Sequence, residues 1–289
     1  MLEQIEKLWD TVVVTIFNTV TSTYALLNLI LVVMAACFGS MLFGKVKAPL
    51  KDALLRGLGV FTFLMGASQM WDGFFVLQTG QFEASGTVLV LISLLIGYFI
   101  GNAFTVERQI GRLGVWLCKL FYKKSDKKPV ASQKATAKEV PSAPQAESIP
   151  SAEGFMLAAL ICAFSAPTIR YTVESQLIGD AVPLLIKLGF DFVVFFILAA
   201  IYGTSVVFAT LPLAAMEGIL FFVYTVWGGF LTNALLDQLT MIGAVILMVA
   251  GLTLGIGKKT RAARFIPAYF IPVIYALVKL LVDKLLASA

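Results

Sequence analysis

The sequence contains no histidine, only three cysteines among 289 residues, and a charged fraction of just 13%. Without histidine the chain lacks the commonest general base, the commonest zinc ligand and the side chain that titrates near neutral pH, so hydrolase and zinc-enzyme readings lose their usual parts. Cys37, Cys118 and Cys162 form no metal-spaced pair, and Cys37 and Cys162 fall in apolar stretches. They read as small buried hydrophobes, and no metal or cofactor is expected. No ATP-binding signature is present either. The charged fraction is roughly half that of an ordinary soluble domain. Most of the surface is therefore not built for water.

What the chain does have is hydrophobic sequence, 59% of its residues. Several nearly uncharged runs reach about eighteen residues or more, the length a helix needs to cross about 30 Å of hydrocarbon. Barrel strands would alternate apolar and polar positions, whereas residues 88–100 are apolar on every side. The expected fold class is an all-α polytopic membrane protein of about eight transmembrane helices.

The chain divides accordingly. Residues 1–21 read as an external or interfacial lead-in, residues 22–124 as three spans plus an amphipathic basic stretch, 125–153 as a flexible cytoplasmic linker, and 154–289 as five spans. The linker is rich in Pro, Ala, Ser, Lys and Glu and has almost nothing to bury. Spans are expected near 22–43, 57–75, 86–104, 154–171, 182–202, 206–229, 236–257 and 265–286. The loops at 45–57, 106–153 and 258–264 hold seventeen of the twenty-two Lys and Arg residues. Eight spans put all three loops on one face, which the positive-inside rule makes cytoplasmic, with both termini external. The positive charge then serves to orient the protein in its membrane, and nucleic acid is not an expected partner. Spans one to three and six to eight would face the membrane in opposite senses, which allows an inverted repeat; Gly59 and Gly66 against Gly243 and Gly251 are its thin sequence support.

Charges inside spans are the informative residues, because an ionised group there costs at least a few kcal/mol unless paired or wetted. Lys187 and Asp191 lie four apart on one helix face and can pair, and Glu217 falls near the middle of the next span. One lysine does not neutralise two carboxylates, so a substrate or ion site stands beside the plain reading of a structural ion pair. Glu174 and Asp180 are expected in the external loop before the fifth span, where they would form an acidic mouth or simply a solvated loop. Ser165 and Thr168 flank Pro167 late in the fourth span, where a broken turn would expose carbonyls to a ligand and a plain proline kink would not. Asn28 in the first span is expected to hydrogen-bond another helix and stands with these residues as a candidate for a substrate or ion site. The G-x-x-x-G patterns at Gly97 and Gly101 and at Gly251 and Gly255 point to close helix packing within the chain. Trp71, Trp116 and Trp227 read as interfacial anchors.

The segments VESQLIGD and LLIKLGFDF, followed by Gly203, resemble a family of bacterial membrane proteins called YqgA-like, domain of unknown function 554. The shared polar pattern falls on Glu174, Gly179, Asp180, Lys187 and Asp191. Asn28, Gly39, the segment LLIGYFIGNAFTVERQIGRLGVWL, the glycine-rich seventh span, Pro267 and Ala268 extend the resemblance over most of the chain. Where family members usually carry Ser, Gln and Asn, this chain has Leu188, Glu217 and Arg264. The resemblance implies a fold, a bacterial inner membrane and a set of polar residues, but no substrate. The leading expectation is a secondary transporter or ion-coupled carrier of a small solute, not an enzyme. A membrane scaffold is the alternative, and an intramembrane enzyme using Asp191 and Glu217 is a third. The partners expected are the lipid bilayer and a small solute or ion, with self-association left open.

Overall fold

The computed structural model describes residues 26–74, 76–78, 81–83, 86–122, 150–178, 182–257 and 261–288. The lead-in, nearly all of the linker, Gly179 and Asp180 lie outside the described residues. Within them the fold is helical: α1 (Leu26–Met41), α2 (Ala48–Phe74), α3 (Thr87–Ala103), α4 (Val106–Tyr122), α5 (Pro150–Ala158), α6 (Ala166–Ile178), α7 (Val182–Tyr202), α8 (Thr210–Trp227), α9 (Asn233–Ile256) and α10 (Phe270–Ser288). Helices close every backbone hydrogen bond within one segment, which is what a chain surrounded by hydrocarbon requires. A single short hairpin, β1 (Val76–Gln78) with antiparallel β2 (Gln81–Glu83), joins α2 to α3.

Among the described residues, five helical stretches are long and apolar enough to cross a membrane: Ala48–Trp71, Ala152–Ser175, Val182–Trp227, Asn233–Ile256 and Ala262–Asp283. A sixth counts if Thr87–Ala103 and Val106–Cys118, bent by 59° at their junction, form one broken span. The 46-residue stretch Val182–Trp227 is a hairpin rather than one rod. Lys187 and Glu217 are thirty residues apart, about 45 Å along a straight helix, yet their charged atoms meet at 2.6 Å. The reversal falls on a 3-10 segment, Gly203–Ala209, that opens with Gly203 at φ +82°, a conformation that costs a residue with a Cβ but not glycine. α1 is apolar but shorter than these stretches.

Small residues bring the long helices together. α2 runs along α9, and a Cβ at Gly251 would sit 2.6 Å from the Phe63 nitrogen and 2.7 Å from the Gly59 carbonyl oxygen. Likewise a Cβ at Gly97 or Gly101 of α3 would run into Ala268 or Arg264 in the 3-10 segment Ala262–Tyr269 that leads into α10. Both G-x-x-x-G patterns therefore serve packing inside the chain. The opposite faces are open: Leu91, Leu95 and Phe99 on α3, and Val278, Leu281 and Leu285 on α10, are exposed apolar side chains that only lipid would cover.

Several local expectations need correction. The second helix begins at Ala48, so Lys51 and Arg56 ride on its first turns instead of in a loop. Cys37 is exposed on α1, while Cys162 is fully buried. Pro167 does not kink the fourth helix but sits in the first turn of α6, where its missing N–H has no partner to lose. The real interruption lies just upstream, a π-helical turn over Ala159–Ala163 followed by a break at Phe164 and Ser165.

Candidate functional site

At the centre of the fold, α1, α7 and α8 are joined by buried polar side chains. The amphipathic logic of a surface helix is inverted here. α7 turns Lys187 and Asp191 inward, both 1% exposed, because they lie one turn apart on the face that packs against its neighbours. Lys187 Nζ donates to Asp191 Oδ2 and, at 2.6 Å, to Glu217 Oε1 of α8. Asn28 of α1 donates from the same Nδ2 to both oxygens, at 3.1 Å to Asp191 Oδ2 and 2.8 Å to Glu217 Oε1. Two donor nitrogens and two acceptor oxygens thus close a four-membered ring, with each oxygen taking one bond from an ammonium and one from an amide. Charge-assisted bonds of this kind are about twice as strong as neutral ones, and the dry surroundings strengthen them further.

The ring sits against the broken helix. Cys162, fully buried in the π turn, lies close enough to feel the charges of Asp191, Lys187 and Glu217. The π turn withdraws carbonyls from their ordinary partners, and two of them find side chains. The Thr168 hydroxyl donates to the Cys162 carbonyl, and the Tyr269 hydroxyl donates to the Phe164 carbonyl at 3.1 Å. Ser165, at the break itself, is buried with no hydrogen-bond partner for its hydroxyl. Gly243 of α9 makes room for the break, since a Cβ there would lie 2.6 Å from the Ala166 nitrogen and 2.8 Å from the Tyr269 hydroxyl. Interrupted helices beside buried charge are the usual way a membrane protein exposes backbone polar groups to a ligand.

A second charged group lies apart from the ring. Arg170 on α6 bonds Glu174 at 3.3 Å and Asp237 of α9 at 2.7 Å, with the three side chains 27%, 24% and 21% exposed. Glu174 is therefore part of a helix and ion-paired, not a loop carboxylate.

Of the residues picked out in the sequence, Asn28, Lys187, Asp191 and Glu217 converge, while Ser165 and Thr168 frame the adjacent break. Glu174 belongs to the outer triad, and Asp180 lies outside the described residues. Cys162, Asp237 and Tyr269 were not expected to contribute. Nothing in their local sequence marks them, because each acts through a partner far along the chain. Among the described residues, no group of three or more Cys, Asp and Glu side chains could hold a metal ion.

The comparisons agree with the apolar helices in making this a membrane protein. The chain is 22% identical over 259 residues to a Bacillus subtilis (strain 168) protein named "Uncharacterized membrane protein YdfK", covering 89% of this chain and 93% of that one. No solved structure matches. The family model described as "Protein of unknown function (DUF554)" matches residues 23–277, nearly the whole folded part, and so the chain belongs to the DUF554 family.

Proposed function

We propose that this protein is a secondary carrier of a small solute or ion, with the ring of Asn28, Lys187, Asp191 and Glu217 as its central site and not as the active site of an enzyme. The observation that carries this reading is the ring's charge. A buried ammonium faces two buried carboxylates, so the group is not a self-neutralising clasp. Its position supports the same reading, since it bridges a helical hairpin, a separate helix and a broken helix, elements that can move against one another. In this reading the bacterial inner membrane holds the protein with its basic loops cytoplasmic and both termini outside.

Reconstitution of the full chain into vesicles tests it: a carrier moves some solute in a panel of metabolites and ions, and Glu217→Gln, which keeps shape and hydrogen bonding, abolishes that flux. Flux undiminished in a folded Glu217→Gln protein would remove the ring from the transport path. The competing reading is a membrane scaffold. It is favoured by the closure of the ring, since every bond in it joins α1 to α7 or α8, or α7 to itself or to α8, as a staple would.

A further inference from the structure

The ring closes, but it leaves two acceptor oxygens over. Asn28 Oδ1 and Asp191 Oδ1 are buried acceptor oxygens with no hydrogen-bond partner, on residues 2% and 1% exposed. The third Lys187 N–H and the Cys162 thiol are the donors left nearby, and neither bonds these oxygens, so a ligand seated at them brings positive charge or donors of its own. Charge points the same way. Among the described residues, the titratable groups that face the site are Lys187 and Asp191 from α7, Glu217 from α8 and the Cys162 thiol from the π turn, while α1 brings the neutral Asn28. One ammonium against two carboxylates leaves one negative charge unmatched in a nearly dry place, and an unmatched buried charge is among the costliest features a fold can carry.

We infer that the ring binds one further monovalent positive charge at the two unpartnered oxygens, taken from water as a proton or as an alkali cation. An anion is refused by sign, and a divalent ion would leave the site one charge over. A neutral donor would satisfy the oxygens without cancelling the charge. If the charge is a proton, it passes from hydronium to a carboxyl oxygen, one O–H bond forms, water leaves, and an unpartnered acceptor becomes a donor. If it is an alkali ion, Asn28 Oδ1 and Asp191 Oδ1 supply the first two ligands. The inference rests on the carrier reading for its use, since this charge would then be the coupling ion or the cargo itself.

The test uses the full chain purified in detergent, held in choline chloride and then shifted to sodium or potassium chloride at constant ionic strength and pH. A ligand that binds only the folded state raises the unfolding midpoint. An alkali site is read as a midpoint rise in sodium or potassium over choline. A proton site is read in choline alone, as the infrared band of a protonated carboxylic acid. One of these two signatures is expected in the wild-type protein, and it is expected to vanish in Asp191→Asn and in Glu217→Gln. Absence of both from the wild type overturns the inference outright, whether or not either variant folds. Persistence of the signature in the folded Glu217→Gln protein overturns it too. Vesicle flux separates this from the carrier reading. A signature without any flux sinks the carrier and leaves the cation site, whereas flux with neither signature sinks the cation site and leaves the carrier.

Discussion

The chain builds a trio of one cation between two carboxylates twice, around Lys187 and around Arg170, and the two differ most in how deeply they are buried. Lys187, Asp191 and Glu217 are 1%, 1% and 7% exposed, while Arg170, Glu174 and Asp237 are 27%, 24% and 21% exposed. The outer trio can leave its excess charge to water and counterions, which screen exposed charges over a Debye length of about 8 Å at physiological salt. The inner trio has no such outlet. It recruits a neutral amide, Asn28, from a third helix and still ends with unpartnered oxygens. Stoichiometry alone thus does not make a site. Burial turns an ordinary excess of one charge into a demand for a ligand.

The largest effect should come from breaking the inner trio. Lys187→Met strands two carboxylates against one amide, and removal of one partner from a buried pair costs about 3–5 kcal/mol. Yield of monodisperse protein and its unfolding midpoint should fall sharply. Lys187→Met combined with Asp191→Leu removes one of the two stranded carboxylates and should recover part of the loss, Glu217 keeping only its bond from Asn28. A double-mutant cycle measures the coupling directly. Additive losses would mean that the two residues do not form a pair.

A middle-sized effect belongs to a contact with no charge at all. Gly251→Ala places a methyl 2.6 Å from the Phe63 nitrogen and 2.7 Å from the Gly59 carbonyl oxygen, and backbone atoms do not rotate away as a side chain would. α2 and α9 must separate, at a cost of about 1–3 kcal/mol. That loss should be insensitive to salt and to pH, unlike anything done to the outer trio. A Gly251→Ala protein as stable as wild type would show that the two helices have slack to spare.

These contrasts also mark what could be read in advance. The helices follow from hydrophobic runs, and the Lys187–Asp191 pair from a spacing of four on one face, both local facts. Asn28 was legible as a helix contact and a candidate site residue but not with its partners, because an uncharged side chain 163 residues from Asp191 carries no sign of the charges it will meet. The broken helix was sought at Pro167 and lies a few residues earlier. A π turn inserts one residue into a helix without any composition of its own, and the proline that caught the eye merely starts the next helix. Glu174 was read as loop because a charge after an apolar run suggests the end of a span, yet it lies within α6, paired with Arg170 one turn earlier.

The smallest effect sharpens the comparison from its other side. Arg170→Gln removes the cation of the outer trio and leaves Glu174 and Asp237 facing each other, formally the same insult as Lys187→Met. Partly exposed ion pairs are worth about 0–1 kcal/mol, so the unfolding midpoint should drop only slightly at low salt. Raising the salt should erase most of that drop, because mobile counterions take over the work of the lost guanidinium. The same salt series on Lys187→Met should recover little, since no counterion follows those carboxylates inward without a binding site to receive it. Equal salt responses at the two places would mean that water reaches the ring freely, and the contrast between a buried and a solvated trio would collapse.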